Sequence, residues 1–229
     1  MRLFLPLIFL ALSACVTTTT PSTPTAPPVA RVAPDVAARN FISVVERVEP
    51  VAESECRART SGTNCDFQIV VDRRGDQPAN AYQSLDARGR PVITFTLALI
   101  ADAQNPDELA FIMGHEAGHH IEGHIPKQQQ TSLVGALLLG AGATLSGADQ
   151  AGVDSAQRLG AALGSRVFSK DMELDADGLG TVIAHKAGYD PVLGARYFTR
   201  IPDPGDRFLG SHPPNSQRQQ KVAQVAATL

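Results

Sequence analysis

Residues 105–124 read Asn105-Pro106-Asp107-Glu108-Leu109-Ala110-Phe111-Ile112-Met113-Gly114-His115-Glu116-Ala117-Gly118-His119-His120-Ile121-Glu122-Gly123-His124 and spell a helix that carries its own chemistry. Asn105 is a capping side chain, Pro106 takes the first helical position, and Asp107 and Glu108 make the first turn acidic, with Glu108 where a capping box places it. Leu109, Ile112 and Met113 form the apolar stripe, and the pattern continues to about Glu122 before Gly123. Four of the six histidines lie between positions 115 and 124. At about 100° per residue, His115 and His119 stand about 40° apart and one turn removed, so both imidazoles reach a single ion. Zn²⁺ suits two neutral ring nitrogens plus a carboxylate, with one place left for water. Glu116 is rotated off the histidine line toward that water, which makes it a candidate general base rather than a ligand. With 6 His and 8 Glu in 229 residues, chance yields a His-Glu-x-x-His roughly half a percent of the time, so coincidence is set aside. His120 and His124 are read without a metal role, one as a packing or exposed histidine and the other as a helix-end contact.

Such a site needs a third protein ligand. The metzincin pattern would place Gly and His three and six positions after the second ligand, but Glu122 and Ile125 stand there. The gluzincin pattern draws a Glu from a later helix with an Asp four residues on, and Glu173-Leu174-Asp175-Ala176-Asp177 supplies both. Glu173 and Asp177 share a helix face, so Glu173 can bind metal while Asp177 accepts an N–H from a ligand histidine and fixes its tautomer. Asp175 reads as solvated.

From about Pro78 to Arg218 the chain resembles the HtpX-like and CAAX-prenyl-protease-like zinc endopeptidases, in their small exported lipoprotein branch. The likeness rests on ordered motifs: Asn80-Ala81; Asp107-Glu108-Leu109-Ala110 leading into His115-Glu116-x-x-His119-x-x-x-x-His124; Ser169-x-x-x-Glu173-x-x-Ala176-Asp177; Ala187-Gly188-Tyr189-Asp190-Pro191; and Ser211-His212-Pro213 with Arg218. One departure is Lys170, where the family commonly has Arg, which puts a bidentate salt bridge there in doubt. The resemblance implies a gluzincin-type α+β domain, mainly helical with a small antiparallel sheet. It also implies one zinc per chain on His115, His119 and Glu173, and peptide-bond hydrolysis of misfolded or unassembled envelope proteins.

Around this centre the chain has room for one sizeable domain. Its 229 residues are 43% apolar and 5% aromatic without Trp, so the core must be mostly aliphatic. A net charge of -3 offers no basic surplus, which argues against a nucleic-acid partner. Val36 to Val48 has helical apolar spacing and is expected to end before Pro50. Phe67–Val71, Asn80–Leu85 and Pro91–Thr96 read as the strands of the sheet, with a turn at Asp86-Ala87-Arg88-Gly89. Gln128 to Ala148 carries no charge, and Leu133–Leu145 is nearly all apolar: a buried helix or flap, a segment leaning into a membrane, or a span, though thirteen residues are short for a bilayer. One helix is expected over roughly Ala156–Gly188, a short one after Pro191, and a surface helix over Gln217–Ala227.

The N-terminus reads as an address. One Arg, an apolar run over Leu3–Leu12, then Leu12-Ser13-Ala14-Cys15 resembles the lipobox of bacterial lipoproteins. That implies a signal peptide over 1–14, an acylated Cys15 opening a Thr/Pro-rich tether over 15–34, and a peptidase domain over 35–229. Val16, rather than Asp, after the cysteine implies anchorage at the outer membrane, facing the periplasm. Expected partners are therefore protein or peptide substrates of the envelope, the membrane through its lipid anchor, and envelope assembly factors. Cys56 and Cys65 flank a turn-rich loop and suit a disulfide in an oxidising compartment. His212, stiffened by Pro213 and Pro214 and hinged by Gly205 and Gly210, reads as an N–H donor to the oxyanion of the transition state, with a latch on zinc or a plain turn histidine as the alternatives. A zinc-stabilised lipoprotein that binds or scaffolds proteins without cleaving them is the competing function, and Glu116 argues against it because structural zinc needs no base.

Overall fold

The computed structural model describes residues 32–165, 169–203 and 213–229, and of Ser169 only the backbone. Cys15, His212, the leader and most of the tether lie outside the described residues. The fold is α+β and mainly helical, with one three-stranded sheet among the described residues.

Helix α1 spans Pro34–Arg59 and buries Ala37, Phe41, Val44, Val48, Ala52 and Cys56, a stripe repeating every three to four residues. It does not end before Pro50, as the sequence suggested, but carries that proline inside it. Pro50 and Glu46, the residue whose carbonyl it leaves without an N–H, are exposed, so water can serve the carbonyl while Ala52 and Cys56 continue the buried stripe. A disulfide joins Cys56 to Cys65, with their Cα atoms 5.7 Å apart.

Strands β1 (Gln68–Asp72), β2 (Ala81–Leu85) and β3 (Pro91–Thr96) lie in the order β1-β3-β2. β2 and β3 form the expected antiparallel hairpin, in register from Ala81–Phe95 to Leu85–Pro91. β1, however, pairs with β3 in parallel, so the sheet is mixed rather than antiparallel. Burial accounts for the order: Ile93 and Phe95 are wholly buried and put β3 in the centre, while β1 and β2 are only half covered and take the edges. The loop after β1 crosses the end of β3, where Thr96 donates its backbone N–H to the Asn80 carbonyl and its hydroxyl to that of Pro78.

After β3 the chain is helical: α2 (Leu97–Asp102), α3 (Pro106–Ile121), α4 (His124–Leu145), α5 (Gln150–Gly164), α6 (Ser169–Lys186), α7 (Pro191–Gly194), a 3-10 turn over Ala195–Thr199, and α8 (Asn215–Ala226). The helix expected over 156–188 is thus two helices. α4 and α5 pack as a hairpin through Gly135, Gly160 and Gly164, whose backbones approach too closely to admit a side chain. The apolar stretch of α4 is not a buried helix: Leu133, Leu137 and Leu138 are 60%, 60% and 68% exposed. No helix among the described residues is long and apolar enough to cross a membrane.

The site is positioned by the crossing of α3 and α6. α3 is buried along Leu109, Ala110, Met113, Ala117 and Ile121. Against α6 it presents Gly114 and Gly118, where added Cβ atoms would stand 2.8 Å from the Gly180 carbonyl oxygen and 3.0 Å from that of Ala176. Such contact at backbone distance is open only to residues without side chains. It brings the carboxylates of α6 within reach of the histidines of α3.

Candidate active site

The cap that begins α3 forms as read, with Asn105 Oδ1 accepting the Glu108 N–H at 3.0 Å. Glu108 itself turns to other partners. Its carboxylate accepts from Gln104 N at 2.9 Å and from both Nη atoms of Arg200, at 2.5 and 2.7 Å. α3 is thereby tied to the 3-10 segment that follows α7.

Two turns further on, His115 and His119 aim their Nε2 atoms at one point, 3.0 Å apart. Glu173 joins them from α6, with Oε2 3.6 Å from His115 Nε2 and Oε1 3.4 Å from His119 Nε2. One donor atom from each residue lies within 4.8 Å of the others. Two neutral imidazoles and one carboxylate, drawn to a single point with fewer than four protein ligands, fit a tetrahedral divalent cation that keeps one position open. Glu116 lines the same cleft and is nine-tenths buried.

The orientation of His115 is fixed from behind. Its Nδ1 lies 2.9 Å from Asp177 Oδ1, so Nδ1–H donates to the carboxylate and Nε2 is left for metal. Asp177 is wholly buried and is held in turn by Arg218, with Nε donating to Oδ2 at 2.7 Å and Nη2 to Oδ1 at 2.6 Å. Burial alone would raise the Asp177 pKa, but the Arg218 and His115 contacts outweigh it and hold the carboxyl below its ordinary range. The Arg218 guanidinium also covers the Phe198 ring at 4.1 Å and reaches Glu173 Oε2 at 3.3 Å. Asp175, read as solvated, is exposed.

Sequence reasoning named two further participants, Arg218 and His124, without giving either a part at the site. α8, expected as a surface helix, buries Asn215, Arg218 and Val222 against the rest of the domain and delivers Arg218 into the site. A lone arginine four residues before Val222, on the inner face of a polar helix, was the available signal. His124, read as packing or a helix-end contact, places its Nδ1 2.8 Å from His119 Nδ1. His120 does play the structural part expected, donating to the Asn64 carbonyl at 2.7 Å beside the disulfide and meeting Phe67 edge-on.

The site opens into a cleft of about 670 Å³ that runs from His115, His119 and Glu173 along Ala79–Gln83 at the β2 edge and is floored by Phe111, Tyr197 and Phe198. A mainly helical domain in which a two-histidine, one-glutamate set faces an open cleft defines the class of metallopeptidases with a His-Glu-x-x-His helix. Within that class the chain belongs to peptidase family M48, whose profile matches residues 39–226. It is 27% identical over 138 residues to the mitochondrial metalloendopeptidase OMA1 of Arabidopsis thaliana, a match covering 58% of this chain and 27% of that protein. It is 29% identical over 126 residues to a putative beta-barrel assembly-enhancing protease of Vibrio cholerae serotype O1, covering 51% of this chain and 25% of that protein. The chain thus spans about a quarter of the length of these curated relatives.

Proposed function

We propose that this chain is a zinc-dependent endopeptidase that cleaves misfolded or unassembled proteins of the bacterial cell envelope, anchored through Cys15 to the outer membrane and facing the periplasm. The observation that carries the reading is the convergence of His115, His119 and Glu173 beside Glu116 at the floor of a cleft bordered by a sheet edge. The envelope assignment draws on the lipobox-like Leu12-Ser13-Ala14-Cys15 and on the likeness to a protein named for β-barrel assembly.

When bound by His115, His119 and Glu173, zinc supplies a Lewis acid that polarises a carbonyl and lowers the pKa of water. The chain's own groups do the rest. β2 ends the sheet order, so an extended substrate can add its backbone alongside Ala81–Leu85 and bring a peptide carbonyl to the floor of the cleft. Glu116 accepts the proton of the attacking water on its carboxylate and returns it to the nitrogen of the leaving amine. The burial of Glu116 keeps competing bulk water from that carboxylate. Asp177 holds His115, and Arg218 holds Asp177 and reaches Glu173, so the pair positions the ligand set.

The test is digestion of unfolded casein by purified, zinc-loaded chain, beside Glu116→Gln and Glu173→Ala. Glu116→Gln should keep its zinc and lose about 100-fold or more in rate, whereas Glu173→Ala should lose zinc. Zinc-loaded wild type cutting no faster than Glu116→Gln would overturn the peptidase reading and leave a binding or scaffolding lipoprotein.

A further inference from the structure

The two histidines are held from behind by unlike partners. His115 gives its Nδ1–H to a carboxylate, Asp177. His119 faces metal through Nε2, as its approach to His115 Nε2 and Glu173 Oε1 requires, so its own Nδ1 must carry the hydrogen. What stands in front of that N–H is neither a carboxylate nor a carbonyl but the Nδ1 of His124 at 2.8 Å, with the two rings nearly perpendicular and their centroids 5.0 Å apart. We infer that His124 is a positioning residue that accepts the His119 Nδ1–H on its own unprotonated Nδ1, fixing the tautomer and angle of the second zinc ligand.

Helical geometry shows why this contact is built rather than incidental. Residues five apart on a continuous helix lie about 140° apart, so the side chains at 119 and 124 would point to different faces. The chain breaks between them at Gly123, whose φ of +66° is the left-handed conformation, and the helix restarts at His124. That single turn folds the second imidazole back onto the first and buries it to 5% exposure. His124 Nε2, which must bear the hydrogen if Nδ1 accepts, has no hydrogen-bond partner among the described residues and borders the substrate cleft.

A neutral acceptor also suits the charge of the site. Glu116, Glu173 and Asp177 already place three carboxylates around the ion's position, against one buried guanidinium from Arg218. A fourth carboxylate behind His119 would face that negative field in a poorly solvated interior. An imidazole orients His119 without adding charge.

This inference rests on the ligand set proposed above, and its test separates the two. Zinc affinity is measured by chelator competition for wild type, Glu173→Ala, His124→Phe and His124→Asn. Phenylalanine keeps the ring volume and removes the acceptor, whereas Asn Oδ1 stands where His Nδ1 stood. His124→Phe should bind zinc 10 to 100-fold more weakly than wild type, and His124→Asn should recover most of the loss. Wild-type affinity in Glu173→Ala would sink the ligand set itself. Weakened binding in Glu173→Ala alongside wild-type affinity in His124→Phe would sink only the role of His124. Should His124→Phe fail to fold, ¹⁵N-histidine spectra of zinc-loaded Glu116→Gln decide the matter. They should show His119 and His124 as opposite tautomers, protonated at Nδ1 and Nε2 respectively, with ¹⁵N–¹⁵N coupling between the two Nδ1 atoms. A protonated His124 Nδ1 would overturn the proposal.

Discussion

Gly114 and Gly180 meet backbone to backbone: a Cβ on Gly114 would lie 2.8 Å from the Gly180 carbonyl oxygen, and one on Gly180 would lie 2.7 Å from His115 N. Because His115 follows Gly114 directly, this contact sets the distance between the histidine helix and the helix carrying Glu173 and Asp177. Gly180→Ala should therefore separate α3 from α6, destabilise the domain by about 1–3 kcal/mol and weaken zinc binding in the same variant. Gly142→Ala, where a Cβ meets nothing, should be neutral or gain up to about 1 kcal/mol from helix propensity. Thermal melts and zinc titration check both, and equal melting temperatures in the two variants would refute the close-packing account.

Arg218 and Asp177 are both buried, and their two-pronged contact stands behind His115. Removing the guanidinium leaves a carboxylate without its partner in the interior, so Arg218→Ala should cost about 3–5 kcal/mol, less whatever Asp177 recovers by taking up a proton. Arg218→Lys keeps the charge but cannot span both oxygens, and its loss should fall between wild type and alanine. Denaturant unfolding of the three proteins orders them; lysine matching arginine would mean that charge alone suffices.

Tyr197 is buried beside Asp102, and first burial, then that negative charge, pushes its phenol up to about 12. A raised acid pKa means the fold favours the neutral form. The stability this contributes is complete below the ordinary value of 10.0 and lost as pH climbs from there toward about 12. Near-ultraviolet absorbance titration of the chain's three tyrosines should show a late step that Tyr197→Phe abolishes. A late step that persists in the phenylalanine variant would refute the assignment.

The Cys56–Cys65 bridge closes a short loop whose Asn64 carbonyl accepts from His120 on α3. Opening it in Cys56→Ser or by reductant should lower stability by about 2–3 kcal/mol. His120 should also lose part of its hold on that loop, seen as faster amide exchange around residue 64. Melting temperatures indifferent to reductant would count against the bridge.

Features that depend on neighbours along the chain were legible before any folding was seen. The cap at Asn105, the shared face of His115 and His119, the four-residue spacing of Glu173 and Asp177, and the β2–β3 hairpin all follow from local periodicity and turn chemistry, and each is found where it was read. Features that depend on residues far apart emerged only with the packed fold. β3 came between β1 and β2 because burial ranks strands by total apolar cover, a property no single strand displays. α1 ran through Pro50 because the surface it covers outweighs one missing hydrogen bond. Arg218 entered the site from 41 residues beyond Asp177, and His124 reached His119 only because a left-handed glycine reversed its direction. Periodicity states which way a side chain faces on its own helix; which residues it meets there is fixed by how closely the helices can approach, and here glycine backbones set that distance.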